Sequence, residues 1–127
     1  FARRCAWLER LAARIDPLRV HCDAIEARLV PGQRCVFSFD LLEAIAHDYG
    51  VKPRDIALVI GEDNRRRLAS FHRGRELRQR FGLLVASETL MLHSSAIRRS
   101  LRDGLPLPDA WCLPEMRGEV GIYEEFR

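Results

Sequence analysis

The sequence predicts an α/β fold in which a largely parallel sheet is covered by helices on both faces. Three observations carry this expectation. Two short runs, DIALVI and GLLVAS, are almost wholly apolar. Segments with apolar residues three and four apart stand before, between and after them. Gly and Pro punctuate the joints. Short apolar strands alternating with helices imply βαβ units, and a parallel sheet built from them is buried on both faces.

Residues 1 to 15 open the pattern. Phe1, Cys5, Leu8, Leu11, Ala12 and Ile15 fall on one helical face, and Asp16-Pro17 stops the helix. In LRVHCDAIE, Val20 and Cys22 alternate with His21 and Asp23, which predicts a strand. Pro31-Gly32 marks a turn. The helix SFDLLEAIAHDYG follows, with Ser38 as N-cap, Asp40 in its first turn and Gly50 as C-cap. Its predicted apolar face holds Leu41, Leu42, Ile45 and Tyr49. Ile56 to Ile60 reads as a strand buried on both faces and ended by Gly61. A polar helix from Arg73 to Phe81 leads into a second apolar strand, Gly82 to Ala86. LMLH offers a further short strand, SAIRRSLRDG a helix ended by Gly104, and LPEMRGEVGIYEEF a closing helix with Pro114 in its first turn.

Composition bounds the function. In 127 residues, 47% hydrophobic and 31% charged, a single domain with a continuous core is expected over residues 1–127. No run approaches the ~18 apolar residues of a membrane span. FARRCAWLERLAARI mixes charge into its apolar pattern, unlike a secretory leader. A soluble, cytoplasmic protein without a membrane partner is therefore expected. The net charge of +3 does not by itself imply nucleic acid, although 20 of the 21 basic residues are arginine. Cys5, Cys22, Cys35 and Cys112 lack metal-site spacing and are expected as reduced, mostly buried thiols. The chain opens on Phe1 rather than Met, directly in a helical pattern, and is read as N-terminally incomplete.

In such sheets ligands lie beyond the carboxyl ends of the strands. Three segments there have suitable chemistry. In Gly61-Glu62-Asp63-Asn64, the glycine allows close approach of a ligand to the backbone, and the Asp63 carboxylate accepts hydrogen bonds from ribose hydroxyls. The same residues also suit an ordinary turn, and Asp63 could pair with a neighbouring arginine. In HSSAIRRSLRDG, a helix starting at Ser94 or Ser95 presents free amide groups and hydroxyls to an anion, with Arg98 one turn on. A plain serine cap with Arg98, Arg99 and Arg102 on a solvated face is the alternative. In RRRLASFHRGREL, Arg65 to Arg67 with Phe71, His72 and Arg73 can form a basic pocket with an aromatic wall for a base or nicotinate ring. Otherwise the arginines are a solvated loop and Phe71 packs on the core.

Taken together and in order, VFSFDLLEAIAHDYG, IALVIGEDN, RLASFHRGREL, GLLVASE, SSAIRRSLRDG and LPEMRGEVGIYEEF resemble the HxGH-type nucleotidyltransferases, most closely the bacterial nicotinate-mononucleotide adenylyltransferases. The resemblance extends from about Arg3 to the end of the chain. It implies a Rossmann-like nucleotidyltransferase fold lacking its first β-α segment, with the HxGH loop upstream of Phe1. None of His21, His47, His72 or His93 stands in an HxGH context.

Carried over by resemblance, Ser38 replaces a threonine that helps hold the mononucleotide, and Phe37 replaces the preceding tyrosine. Gly61 and Asp63 match the positions that receive adenosine. Ser94, Ser95 and Arg98 match the phosphate-binding motif, with Arg98 the catalytic cation. A tryptophan that stacks on the pyridine ring is replaced near Phe71 to Gly74. The implied reaction transfers AMP from ATP to nicotinate mononucleotide, giving deamido-NAD and pyrophosphate, with Mg²⁺ held mainly by the phosphates. Nicotinamide mononucleotide, another acceptor of the same superfamily, or a non-catalytic nucleotide-binding module are the alternatives. Homo-oligomerisation stays open, and nucleic acid bound through Arg65 to Arg67 ranks last.

Overall fold

The computed structural model describes residues 2–29, 35–87 and 94–116. Contacts divide the chain into two units, Asp23–Thr89 and a second made from both ends, Phe1–Cys22 with Leu90–Arg127.

The Asp23–Thr89 unit holds the sheet. Strands β1 (Ala57–Gly61) and β2 (Gly82–Ala86) pair in parallel, in register from Ala57 opposite Gly82 to Gly61 opposite Ala86. Parallel strands require a crossover. Here it consists of a one-turn helix, α4 (Glu62–Arg65), a 3₁₀ turn (Leu68–Ser70) and helix α5 (Gly74–Arg80). Two helices precede the sheet, α2 (Ile25–Leu29) and α3 (Ser38–Tyr49). On one sheet face, Leu58 and Ile60 of β1 and Leu83 and Val85 of β2 pack against Phe39 and Leu42 of α3 and Leu77 of α5. Phe39 meets Phe81 edge to face at 6.0 Å between centroids. The core is thus anchored by Phe39 and Leu77, at 1% and 0% exposure. Burying a side chain of this size contributes ~1.5–3 kcal/mol.

The other sheet face differs from expectation. Val59 and Leu84, register partners across the sheet, are 62% and 59% exposed. Both helices of the core pack on the Leu58–Ile60 side, so among the described residues the strands are covered on one face. A continuous apolar run is compatible with this arrangement because its outward residues stay apolar whether or not they are covered.

Helix α3 ends as predicted. Gly50 adopts φ 62°, its N–H donates to His47 O at 3.3 Å, and the Val51 N–H donates to Ala46 O at 3.1 Å. Its start is shifted by one residue: Phe37 is the N-cap and Ser38 the first helical residue, with no side-chain cap bond. The buried face is Phe39 and Leu42, while Tyr49 turns outward and its hydroxyl donates to Asp23 Oδ2 at 2.5 Å.

The strand expected at Val20 and Cys22 is absent. Pro17–Arg19 form a turn, residues 20–24 carry no regular structure, and Ile25 starts α2. Two aspartates impose this course. Asp16 Oδ1 accepts from the Leu18 N–H at 3.0 Å, and Asp23 Oδ1 from the Ile25 N–H at 2.9 Å. Such local bonds satisfy backbone donors that a strand would need for its ladder.

In the unit formed by the chain ends, α1 (Ala2–Ile15) buries Trp7 and Ala12, with Cys5 and Leu11 half-buried. Leu8 and Ile15, placed on the apolar face by spacing alone, are 52% and 59% exposed. Arg10 Nη2 donates to the Glu115 carbonyl at 2.9 Å, and Arg14 pairs with the Glu115 carboxylate. Helix α6 (Ser94–Arg102) ends at Gly104, φ 69°, with the Leu105 N–H donating to Ser100 O at 2.9 Å. The closing helix appears only as a 3₁₀ turn at Pro114–Met116, and its remainder lies outside the described residues. So do LMLH with His93 and the Pro31-Gly32 turn. The four thiols are free, but Cys5, Cys22 and Cys112 are half-buried and Cys35 exposed, less enclosed than expected. No helix among the described residues is long and apolar enough to cross a membrane.

Candidate functional site

Strand β1 delivers Gly61 to its carboxyl end, where it caps α4 with φ −72° and ψ 159°. This is ordinary extended backbone, so glycine is not needed for its conformation. It is needed for space: a Cβ at residue 61 would stand 2.6 Å from Asp63 Oδ1. The carboxylate folds back over the strand end into the room the glycine leaves. What sequence patterning offered as a turn is the first turn of α4. Within it, Glu62 engages Arg65 at 3.4 Å, while Asp63 makes no ion pair among the described residues. Its exposed oxygens are therefore free to accept hydrogen bonds from a pair of vicinal hydroxyls.

The RRRLASFHRGREL segment does not gather into one basic pocket. Arg65 turns to Glu62. Phe71 is half-buried and packs on the core cluster, which is the structural role foreseen as its alternative. Arg73 adopts φ 52°, the only non-glycine residue with positive φ among those described. It is held there from two sides. Its Nε and Nη2 donate to the two Glu76 oxygens at 2.8 and 2.5 Å, and its guanidinium lies 3.8 Å from the Phe39 ring centroid. The same forked hydrogen bond keeps the Glu76 carboxyl below its usual range.

An aromatic pair stands at the surface of this unit instead. Phe37, 41% exposed, stacks on His72 with ring centroids 4.5 Å apart and planes 29° from parallel. Ser38 follows Phe37 directly and is half-buried. The pairing of Phe37 with His72 is a contact sequence spacing did not suggest. Its only signal is an aromatic residue just before one helix and a histidine two residues before the glycine that starts another.

In the other unit, Ser94 and Ser95 stand exposed in the first turn of α6, and Arg98 one turn further on. Positions four apart share a helix face. Accordingly Ser94 and Arg98 both line a cleft of about 350 Å³, whose remaining wall is mostly apolar and includes Ile97, Leu101 and Trp111. Ser95 lies off this wall, as do Arg99 and Arg102, which are exposed. Arg98 makes no ion pair among the described residues, so its guanidinium is available to an anion. The helix N-terminus adds ~0.3–1 kcal/mol for such a charge.

The candidate residues thus divide between the units. Phe37, Ser38, Gly61, Asp63 and Phe71 belong to Asp23–Thr89, and Ser94, Ser95 and Arg98 to the unit of the chain ends.

No protein-family model matches the chain, and no curated protein sequence matches it significantly. The likeness to solved structures is clear. A crystal structure from Vibrio parahaemolyticus, described as a "putative nicotinate-nucleotide adenylyltransferase", matches with a TM-score of 0.74 at 25% sequence identity. The match covers 98% of this chain and 69% of that one. The chain therefore has the Rossmann-like nucleotidyltransferase fold, with its parallel strands and connecting helices accounted for by that likeness.

Proposed function

We propose that the protein is an adenylyltransferase that moves AMP from ATP to nicotinate mononucleotide, forming deamido-NAD and pyrophosphate. The observation that carries this reading is the structural likeness, over 98% of the chain, to the protein described as a "putative nicotinate-nucleotide adenylyltransferase". The Asp63 carboxylate at the end of β1 and Arg98 on α6, neither in an ion pair among the described residues, supply chemistry suited to it.

In this reading Asp63, folded over the strand end into the room that Gly61 leaves, accepts hydrogen bonds from the ATP ribose. Ser94, Ser95 and Arg98 take the phosphates. Phe37 and Ser38, with Phe71 behind them in the core, border the mononucleotide. A phosphate oxygen of the mononucleotide attacks the α-phosphorus of ATP. The bond from that phosphorus to the bridging β-phosphate oxygen breaks, and pyrophosphate leaves. The attacking oxygen is already anionic at neutral pH, so no base or covalent nucleophile is required. Positioning and neutralisation of charge suffice. Arg98 provides that neutralisation where negative charge builds up between the α- and β-phosphates. Mg²⁺ arrives on the phosphates of ATP, as part of the substrate, and further screens their charge.

The test is an assay of the full-length protein with ATP, Mg²⁺ and either nicotinate or nicotinamide mononucleotide. Pyrophosphate release with the nicotinate form, reduced at least tenfold by Arg98→Gln, is the expected result. Release with neither mononucleotide refutes the reading, and ATP binding without turnover would identify a nucleotide-binding module instead.

A further inference from the structure

Helix α5 divides its arginines in a way the proposed reaction does not use. Residues 73–80 contain Arg73, Arg75, Arg78 and Arg80 but a single carboxylate, Glu76. Arg73 is clamped by Glu76, and Arg80 reaches Glu43 of α3 at 3.0 Å. Arg75 and Arg78 have no ion pair among the described residues. These two, and neither of the paired arginines, line a cleft of about 370 Å³ together with Gln79, Ala69 and Gly74.

The cleft is built for acceptor-rich ligands. Each guanidinium carries a fork of N–H donors, and Gln79 adds an amide with two donors and one acceptor. Among the described residues no carboxylate lines it. Its floor is held open by a packing constraint: a Cβ at Gly74 would fall 2.3 Å from the Leu68 carbonyl oxygen, so only glycine fits there. Two like charges three residues apart on one helix repel and weaken it. An anion placed between them removes that repulsion. Arg75 and Arg78 are one turn apart, with Cβ atoms ~5–6 Å from each other. That spacing lets each fork grip one of two adjacent phosphoryl groups, the bidentate contact for which arginine is suited.

We infer that the cleft between the Leu68–Ser70 turn and α5 binds a diphosphate group, through Arg75 and Arg78 with Gln79 completing the donor set. This site is separate in its residues from those assigned to ATP above, and it stands whether or not the protein transfers AMP. Free pyrophosphate and a nucleoside diphosphate share the chemistry the cleft recognises.

The experiment is a titration of the intact protein, labelled at the arginine side chains with ¹⁵N, with inorganic phosphate, pyrophosphate or ADP at constant ionic strength. The Nε signals of Arg75 and Arg78 are assigned by their loss in R75Q and R78Q. They are expected to move together along one saturable curve with pyrophosphate, at least tenfold tighter than with inorganic phosphate. Binding by ADP as tight as by pyrophosphate points to a nucleotide, and weaker binding to the free diphosphate. A second arm compares R75Q/R78Q with K52Q/R54Q, which removes the same charge from exposed positions off the cleft. Both pairs are made in an R98Q background, which removes the phosphate contact proposed on α6, and only the first pair should abolish the saturable pyrophosphate binding that remains. If the Arg75 and Arg78 signals shift no more than that of Arg54, or if both double variants weaken binding equally, the cleft holds only a diffuse ion atmosphere and the inference is overturned.

Discussion

The imidazole of His72 lies on the ring of Phe37, centroids 4.5 Å apart, at a point where both residues reach the surface. An incoming aromatic ring can extend this stack on an outer face. With Phe71 packed on the core, the pair offers a stacked platform to a pyridine ring. An aromatic pair contributes ~0.5–1.5 kcal/mol beyond area burial. His72→Ala and Phe37→Ala should therefore each weaken nicotinate mononucleotide binding about two- to tenfold. Calorimetric titration reads this directly, with the melting temperature as a control. Unchanged affinity in both variants would remove the pair from the acceptor site.

Gly61 and Gly74 both leave room for an oxygen, but of different kinds, and their alanine variants should separate. At Gly61 the obstructing atom is the mobile end of Asp63, so Gly61→Ala displaces a carboxylate and leaves stability within about 0.5 kcal/mol. ATP affinity should fall about ten- to hundredfold, through a lost hydrogen bond to a charged group worth ~1.5–3 kcal/mol. At Gly74 the obstructing atom is a backbone carbonyl, and Gly74→Ala should lower stability by ~1–3 kcal/mol. Urea unfolding and ATP titration of both variants check the contrast.

Leu77 and Leu84 provide an internal comparison of one residue type in two environments. Leu77 is 0% exposed in the core and Leu84 is 59% exposed on the open sheet face. Leu77→Ala should cost ~2–5 kcal/mol of unfolding free energy, and Leu84→Ala less than ~1 kcal/mol. Equal losses in urea would mean that the outer face of the sheet is covered in solution.

Stability should decline at both ends of the pH scale. Hydrogen bonds from Arg73, Arg28 and Arg14 hold the Glu76, Asp48 and Glu115 carboxyls, respectively, below their usual values. Groups depressed in the folded state stabilise it fully above their unfolded pKa. That contribution is lost as pH falls from the ordinary values of 4.5 for Glu and 3.8 for Asp through the lower folded ones. Tyr49 behaves oppositely. Its hydroxyl donates to Asp23, which raises the phenol above its ordinary 10.0. Its contribution is complete below that value and disappears as pH rises through the raised one. Melting temperatures across pH should show both declines, with Tyr49→Phe removing part of the alkaline one and Glu76→Gln part of the acid one.

The strands and helix ends were legible because local chemistry determines them. Gly82 to Ala86 is a strand with the predicted bounds, and Gly50 and Gly104 end their helices in the left-handed conformation only glycine adopts without strain. What escaped was decided by partners distant in sequence. The periodicity of α1 marks Leu8 and Ile15 as apolar but not which side is covered. Alternation at Val20 and Cys22 suggests a strand, yet the local bonds of Asp16 and Asp23 prevail, and among the described residues no strand pairs with this segment. Within the candidate site, Gly61 reads from the sequence as a point of close approach for a ligand, and in the structure the room it leaves is taken by the Asp63 carboxylate. The stacking of Phe37 on His72 and the division of arginines along α5 depend on side-chain direction in three dimensions, which residue spacing does not encode.

The unit assembled from both ends of the chain also sets an order of events during synthesis. Arg14 finds its partner in Glu115, 101 residues later. At ~5–20 residues per second, translation separates them by roughly 5–20 s. All of Asp23–Thr89, including both strands and the crossover that joins them, leaves the ribosome within that interval. The sheet unit can therefore close its core on the nascent chain, whereas α1 must wait for the segment around Glu115 before its own unit is complete.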